Sequence, residues 1–196
     1  MRAHPEKEFE GLLSPEYDDG AGLFRTDQGI NDFKQIEIVP TNIDRYITGV
    51  YALNIPDEEG TTGDWHSNVF WRPKDETKVV EISIGGEGDF DTNHIFSDMG
   101  VSESYERVKD CGLHIPDNID DVYVANHIRA TLDLAYSELK QHGKIWYVRG
   151  CTNDWMDTEE QKQTLLEYAT ELKNYFSGEK LEELNDWLEY EKNLQQ

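Results

Sequence analysis

Past Asp121 the apolar residues of this chain recur every three or four positions, whereas between Phe33 and Ile84 they alternate or gather in short runs rich in β-branched and aromatic side chains. The earlier habit suits strands, whose side chains point alternately to opposite faces, and the later one an amphipathic helix. Four strands are expected: Phe33 to Val39, ended by Pro40; Arg45 to Asn54; Ser67 to Arg72; and Lys78 to Ile84. In the fourth, Val80, Ile82 and Ile84 share one face, and Glu81 and Ser83 the other. The stretch Arg45 to Trp71 is the centre of this pattern, because two such runs flank a connector holding Gly60 and Gly63, as in a β-hairpin with a longer loop. Short connections between consecutive strands predict an antiparallel meander.

The helical half begins with a possible turn from Ser102 to Lys109. Asp121 is then the expected N-cap of a helix that ends at Gly143, with Ala125, Ile128, Leu132, Ala135 and Leu139 on one stripe. His127 falls off that stripe, and Arg129 with Asp133 reads as a helix-surface pair of about 0.2–0.5 kcal/mol. Ile145 to Val148 is a short β-like run. Asp157 with Glu160 resembles a capping box opening a helix through Leu165, Ala169, Leu172 and Phe176. Ser177-Gly178 breaks the chain before a last helix with Leu181, Leu184, Leu188 and Trp187 on one face, so the two form an αα-hairpin. The expected fold is α+β: an antiparallel β-sheet of about four or five strands covered by C-terminal helices ending in an acidic helical hairpin. Residues 1–31, with Pro5 and Pro15, form a loop-rich arm; 32–156 the α+β core; and 157–196 the hairpin packed on it.

Charge narrows the function classes. The 196 residues carry 41 acidic and 18 basic side chains, a net of −23. Such a chain has no cation surplus to displace counterions from nucleic acid, and anionic membranes repel it. The net exceeds the magnitude of about 2–8 that serves solubility in a small domain. Self-repulsion destabilises the compact state, so an acidic face presented to a basic partner competes with simple solubility as the explanation. Two cysteines, Cys111 and Cys151, make no disulfide framework and read as buried thiols. No apolar run reaches the ~20 residues of a membrane span, and the N-terminal residues lack the apolar region of a signal peptide, so the cytoplasm is the expected compartment.

Catalytic signatures are sparse. His66, Asp91 and His94 fall in expected loops and could join a mixed His/carboxylate metal site, although their spacing fits no established motif and loop acids are common in so acidic a chain. Asp64-Trp65-His66 lacks a nucleophile, and the structural reading is favoured. Gly85-Gly86-Glu87-Gly88 carries negative charge where a phosphate loop needs a cation, so its glycines are read as supplying unusual φ at a strand exit.

The segments Ala52-Leu53-Asn54-Ile55-Pro56, Gly63-Asp64-Trp65-His66, Ile95-Phe96-Ser97-Asp98-Met99-Gly100 and Ala125-Asn126-His127-Ile128-Arg129-Ala130 resemble an uncharacterised family of bacterial and mobile-element proteins. The resemblance covers the middle of the chain. It implies an association with defence islands and toxin–antitoxin neighbourhoods beside nucleotidyltransferase-like toxins, and supplies no catalytic residues.

The functional expectation is a non-catalytic, cofactor-free acidic protein that inhibits a basic nucleic-acid-handling partner. A toxin, nuclease or nucleotidyltransferase would serve, placing the protein among antitoxins, immunity proteins or phage-borne DNA mimics that block host defence, such as anti-CRISPR or anti-restriction proteins. Contact residues are expected at Asp57, Glu58, Glu59, Glu87, Asp89 and Asp91 in the loops, and at Glu179, Glu182, Glu183, Asp186 and Trp187 in the last helix. Trp65, Trp71, Trp155 or Trp187 could anchor the contact. A homodimer stays open. The alternative is a metal-dependent enzyme using His66, Asp91 and His94.

Overall fold

A computed structural model describes residues 38–56, 82–111 and 115–194, all within the compact unit Phe33–Gln196. The expected strand at Ser67 to Arg72, the Gly60 to Gly63 connector, most of the Phe33 to Val39 strand and the N-terminal arm lie outside the described residues.

The fold is α+β. Four short strands, β1 (Tyr46–Ile47), β2 (Ile84–Gly85), β3 (Val101–Glu103) and β4 (Tyr123–Ala125), form one sheet in the order β2-β1-β4-β3. β1 pairs antiparallel with β2 and β3 antiparallel with β4, but β1 and β4 run parallel, with Ile47 opposite Val124. The sheet is therefore mixed rather than a meander, because neighbours as far apart as Ile47 and Val124 must be joined by a crossover.

Of the expected Lys78 to Ile84 strand, residues 78–81 lie outside the described residues, and β2 holds its last residue, Ile84. The run from Arg45 to Asn54 is strand only at Tyr46–Ile47; Gly49, at φ 59°, turns the chain into α1 (Gly49–Leu53), where Tyr51, Ala52 and Leu53 are buried. Composition favoured a strand, but burial on all sides gives a helix equal claim to such a run. Between β2 and β3 come a 3₁₀ turn (Gly88–Phe90) and α2 (Asn93–Phe96). The glycines at the exit of β2 do supply unusual φ: Gly86 sits at φ 78°, and a Cβ there would lie 1.8 Å from the Asp44 carbonyl oxygen. α3 (Tyr105–Asp110) follows β3, which takes Ser102 and Glu103 out of the helical turn expected there.

The central helix is α4 (His127–His142), ended by Gly143 in the left-handed conformation as its sequence predicts. Its start differs. Tyr123–Ala125 is strand, so Asn126 rather than Asp121 is the N-cap, its side chain accepting from Arg129 N at 2.8 Å. α4 packs against α1, the 3₁₀ turn and the later helix α6 (Glu159–Glu171), and Leu132, Ala135 and Leu139 are fully buried.

After α4 the segment Ile145 to Val148 is a turn, not a strand. Ile145 and Val148 are buried while Trp146 and Tyr147 between them are exposed, a spacing of three rather than two. α5 (Cys151–Asp154) leads to α6, whose capping box is Thr158 with Gln161, one residue on from the Asp157 and Glu160 expected. After Gly178, α7 (Glu179–Asn193) packs on α6. Leu165, Leu172, Leu184 and Leu188 are buried, each contributing about 2 kcal/mol of hydrophobic stabilisation. No helix among the described residues is long and apolar enough to cross a membrane.

Candidate functional site

Two polar centres organise the molecule, one internal and one beneath an exposed turn. The internal one is the pair Arg129 and Asp133, which sequence spacing places on a helix surface and the fold buries completely, at 0% exposure for both side chains. The correction has a topological cause: β1 and the chain from Asn93 to Met99 lie across that face of α4. Arg129 Nε donates to Asp133 Oδ1 at 3.0 Å. Its Nη1 donates to the carbonyls of Ser97 and Met99, and its Nη2 to Tyr46 Oη and Asn93 Oδ1, so all five N–H donors have acceptors. Asp133 also accepts from Tyr46 Oη at 3.1 Å, Thr48 Oγ1 at 2.6 Å and Thr92 Oγ1.

Burial pushes the Asp133 carboxyl up, against the lowering pull of Arg129 and the hydroxyls. Burial, and next the Asp133 charge, push the Tyr46 phenol well up. This is a saturated network with no face open to a substrate. His127, expected off the apolar stripe, is buried as well, its Nε2 3.0 Å from the Ile55 carbonyl oxygen.

Beneath the exposed turn after α4, three carboxylates converge on its backbone. Glu138 Oε1 accepts from Tyr147 N at 3.1 Å. Glu183 accepts from Ile145 N at 3.2 Å and from Lys144 Nζ at 2.7 Å. Glu191, fully buried, accepts from Gly150 N at 2.6 Å, Thr152 N at 3.1 Å, Thr152 Oγ1 at 2.7 Å and Trp187 Nε1 at 3.0 Å. An anionic acceptor at the N-terminus of α5 satisfies N–H groups that no carbonyl reaches. Burial raises the Glu138 carboxyl, opposed by the N–H groups of Tyr147, Trp146 and Val148. Partial burial also works to raise Glu183, but Lys144, the Ile145 N–H and the Lys144 and Arg149 charges outweigh it and hold that carboxyl below its ordinary value.

The expected contact residues fare unevenly. Asp57, Glu58, Glu59, Trp65, Trp71 and His66 lie outside the described residues. Glu87 pairs with Arg45 at 3.1 Å and Asp89 with Lys140 at 3.5 Å. Glu183 pairs with Lys144 and Arg149, and Asp186 with Arg149 at 3.0 Å. These four acids already have counterions within the molecule. Asp91, Glu179 and Glu182 are exposed. Trp187 is no surface anchor: it is fully buried, and its indole N–H is held by Glu191. The apolar face it shares with Leu184 and Leu188 points inward.

Among the described residues no three His, Cys, Asp or Glu side chains gather as a metal site. His94 is exposed, with its ring edge-on to Tyr136 and Tyr175. Cys151 is buried and Cys111 half-buried; burial raises both thiols, Cys151 strongly, which disfavours the nucleophilic thiolate.

No protein-family model, curated protein or solved structure matches this chain. Sequence reasoning missed the surface aromatics Trp146 and Tyr147, since reading Ile145 to Val148 as a strand would have buried every second residue. The available signal was the placement of Ile145 and Val148 three apart.

Proposed function

We propose that the protein is a non-catalytic acidic binding protein that occupies and inhibits a basic, nucleic-acid-handling partner. The observation that carries this reading is the outer side of the helical hairpin. Glu160, Glu167, Glu171, Glu179, Glu182 and Glu189 are exposed and make no ion pair among the described residues. The apolar sides of α6 and α7 are turned inward, which leaves these carboxylates in solvent. Carboxylates spread over a rigid helical surface can take the place of phosphates on a protein evolved to hold nucleic acid, and they speed its encounter. The internal pairing of Glu87, Asp89, Glu183 and Asp186 shifts the proposed contact toward the six unpaired glutamates. The resemblance to proteins of toxin–antitoxin and defence neighbourhoods supports a toxin-neutralising or anti-defence role.

The test is a tagged pull-down from host lysate, eluted with a salt gradient, beside a variant with the six glutamates changed to Gln. The expected result is a stoichiometric basic enzyme that elutes at moderate salt, is inactive in the complex and is not retained by the variant. Equal retention by the variant would sink the reading.

A further inference from the structure

The turn from Lys144 to Arg149 has no helical or strand ladder, and side chains from α4 and α7 accept from its N–H groups instead. Glu138 from α4 takes the Tyr147 N–H, and Glu183 from α7 takes the Ile145 N–H. Immediately beyond, Glu191 takes those of Gly150 and Thr152. Buried Ile145 and Val148 pin the turn from beneath. What the arrangement holds outward is Trp146, 57% exposed. Its indole stacks at 5.1 Å and 27° on the His142 ring at the end of α4, so one face is supported. Tyr147 beside it leans on Trp155 at 5.8 Å.

The turn is continuous with the acidic hairpin. Arg149 reaches Asp186 of α7 and lies 4.9 Å from the ring of exposed Tyr190. Five carboxylates (Glu138, Asp154, Glu183, Asp186 and Glu191) border the turn against the three cations Lys144, Arg149 and Lys180. A rigid, exposed Trp loses little entropy when it is covered, and Trp is enriched among residues that dominate interfaces.

We propose that this turn is the docking point of a cationic protein partner, with an arginine or lysine side chain of that partner laid on the outer face of the Trp146 indole. The inference rests on the reading of the protein as an acidic binder and names its anchor. Charge selects the occupant: a second copy of this chain brings another −23, whereas a cation gains from the indole face and from the net negative field of the chain.

The test uses the ¹⁵N-labelled full chain, titrated with a nona-arginine peptide at about 0.15 M salt. The Trp146 indole N–H resonance is expected to move saturably. Trp146→Ala should weaken binding about tenfold, with Trp146→Phe recovering part of the loss, at unchanged melting temperature. If Trp146→Ala binds as the wild type does, and only hairpin resonances move, the docking point is wrong while the acidic-binder reading stands. If Trp146→Ala weakens binding but the six-Gln hairpin variant does not, the anchor stands and the hairpin reading fails. Absence of binding overturns both. A concentration-dependent mass that Trp146→Ala abolishes would replace the cationic partner with a second copy.

Discussion

Arg129 and Asp133 sit four residues apart on one helix, a spacing that on a solvated face contributes a few tenths of a kcal/mol (about 0.2–0.5). Enclosed by Tyr46, Thr48, Thr92 and Asn93, the same two side chains carry a different weight. A buried pair can be matched in stability by well-packed apolar residues, but removing one partner strands the other charge. Arg129→Met should therefore cost about 3–5 kcal/mol in urea unfolding. Arg129→Met combined with Asp133→Leu should cost less than Arg129→Met alone, and a double variant worse than that single one would refute the account. The guanidinium also holds the carbonyls of Ser97 and Met99. Ser97 itself has φ 54° and ψ −132°, a conformation suited to glycine. Ser97→Gly should accordingly gain about 0.5–1 kcal/mol, read as a raised urea midpoint.

At the scale of elements, the long helices were legible because their cues are local. Gly143 ends α4, Ser177-Gly178 parts α6 from α7, and the leucine spacings mark the buried faces. The strands were legible in part: the expected Arg45 to Asn54 and Lys78 to Ile84 strands contain Tyr46–Ile47 and Ile84, whereas β3 and β4, three residues each, leave no periodicity to read. What makes Tyr123–Ala125 a strand is the presence of β1 and β3 on either side of it, and nothing within those three residues records that. The burial of Arg129 was hidden for the same reason, since exposure of a helix face depends on what lies across from it. The acidic residues of α7 likewise divide by neighbour: Glu191 is buried as a cap, Glu183 is tied to the turn, and Glu182 is exposed.

Glu183 gives a pH test of this division. Its folded value lies below its ordinary 4.5, so its stabilising contribution is fully present above that value and is lost as pH falls through the lower, folded one. The stability gap between wild type and Glu183→Gln, measured by urea unfolding, should be widest at about pH 6 and close as pH drops toward about 3. A gap that widens in acid would contradict the assignment.

For the whole molecule the dominant number is the net of −23. The ion pairs seen on its surface, such as Arg45 with Glu87 and Lys140 with Asp89, are each worth about 1 kcal/mol or less. Repulsion among the remaining carboxylates acts over the Debye length, about 10 Å at 0.1 M salt. Raising sodium chloride from about 0.01 M to about 0.3 M should thus raise the melting temperature in calorimetry, since screening relieves more repulsion than it weakens attraction. A melting temperature that fell with salt would mean the ion pairs outweigh the excess. The acidic surface then loosens the isolated protein, and in the proposed complex a basic partner would relieve that repulsion.

Two of the three carboxylates that clamp the Trp146 turn, Glu183 and Glu191, belong to α7, some 40 residues further along the chain. A chain emerging from the ribosome will have made α4 and the turn well before it makes either clamp. The aromatic surface therefore matures late, in step with synthesis of α7, and the proposed cationic partner, meeting a shortened nascent chain, would find the indole but not the seat that fixes it.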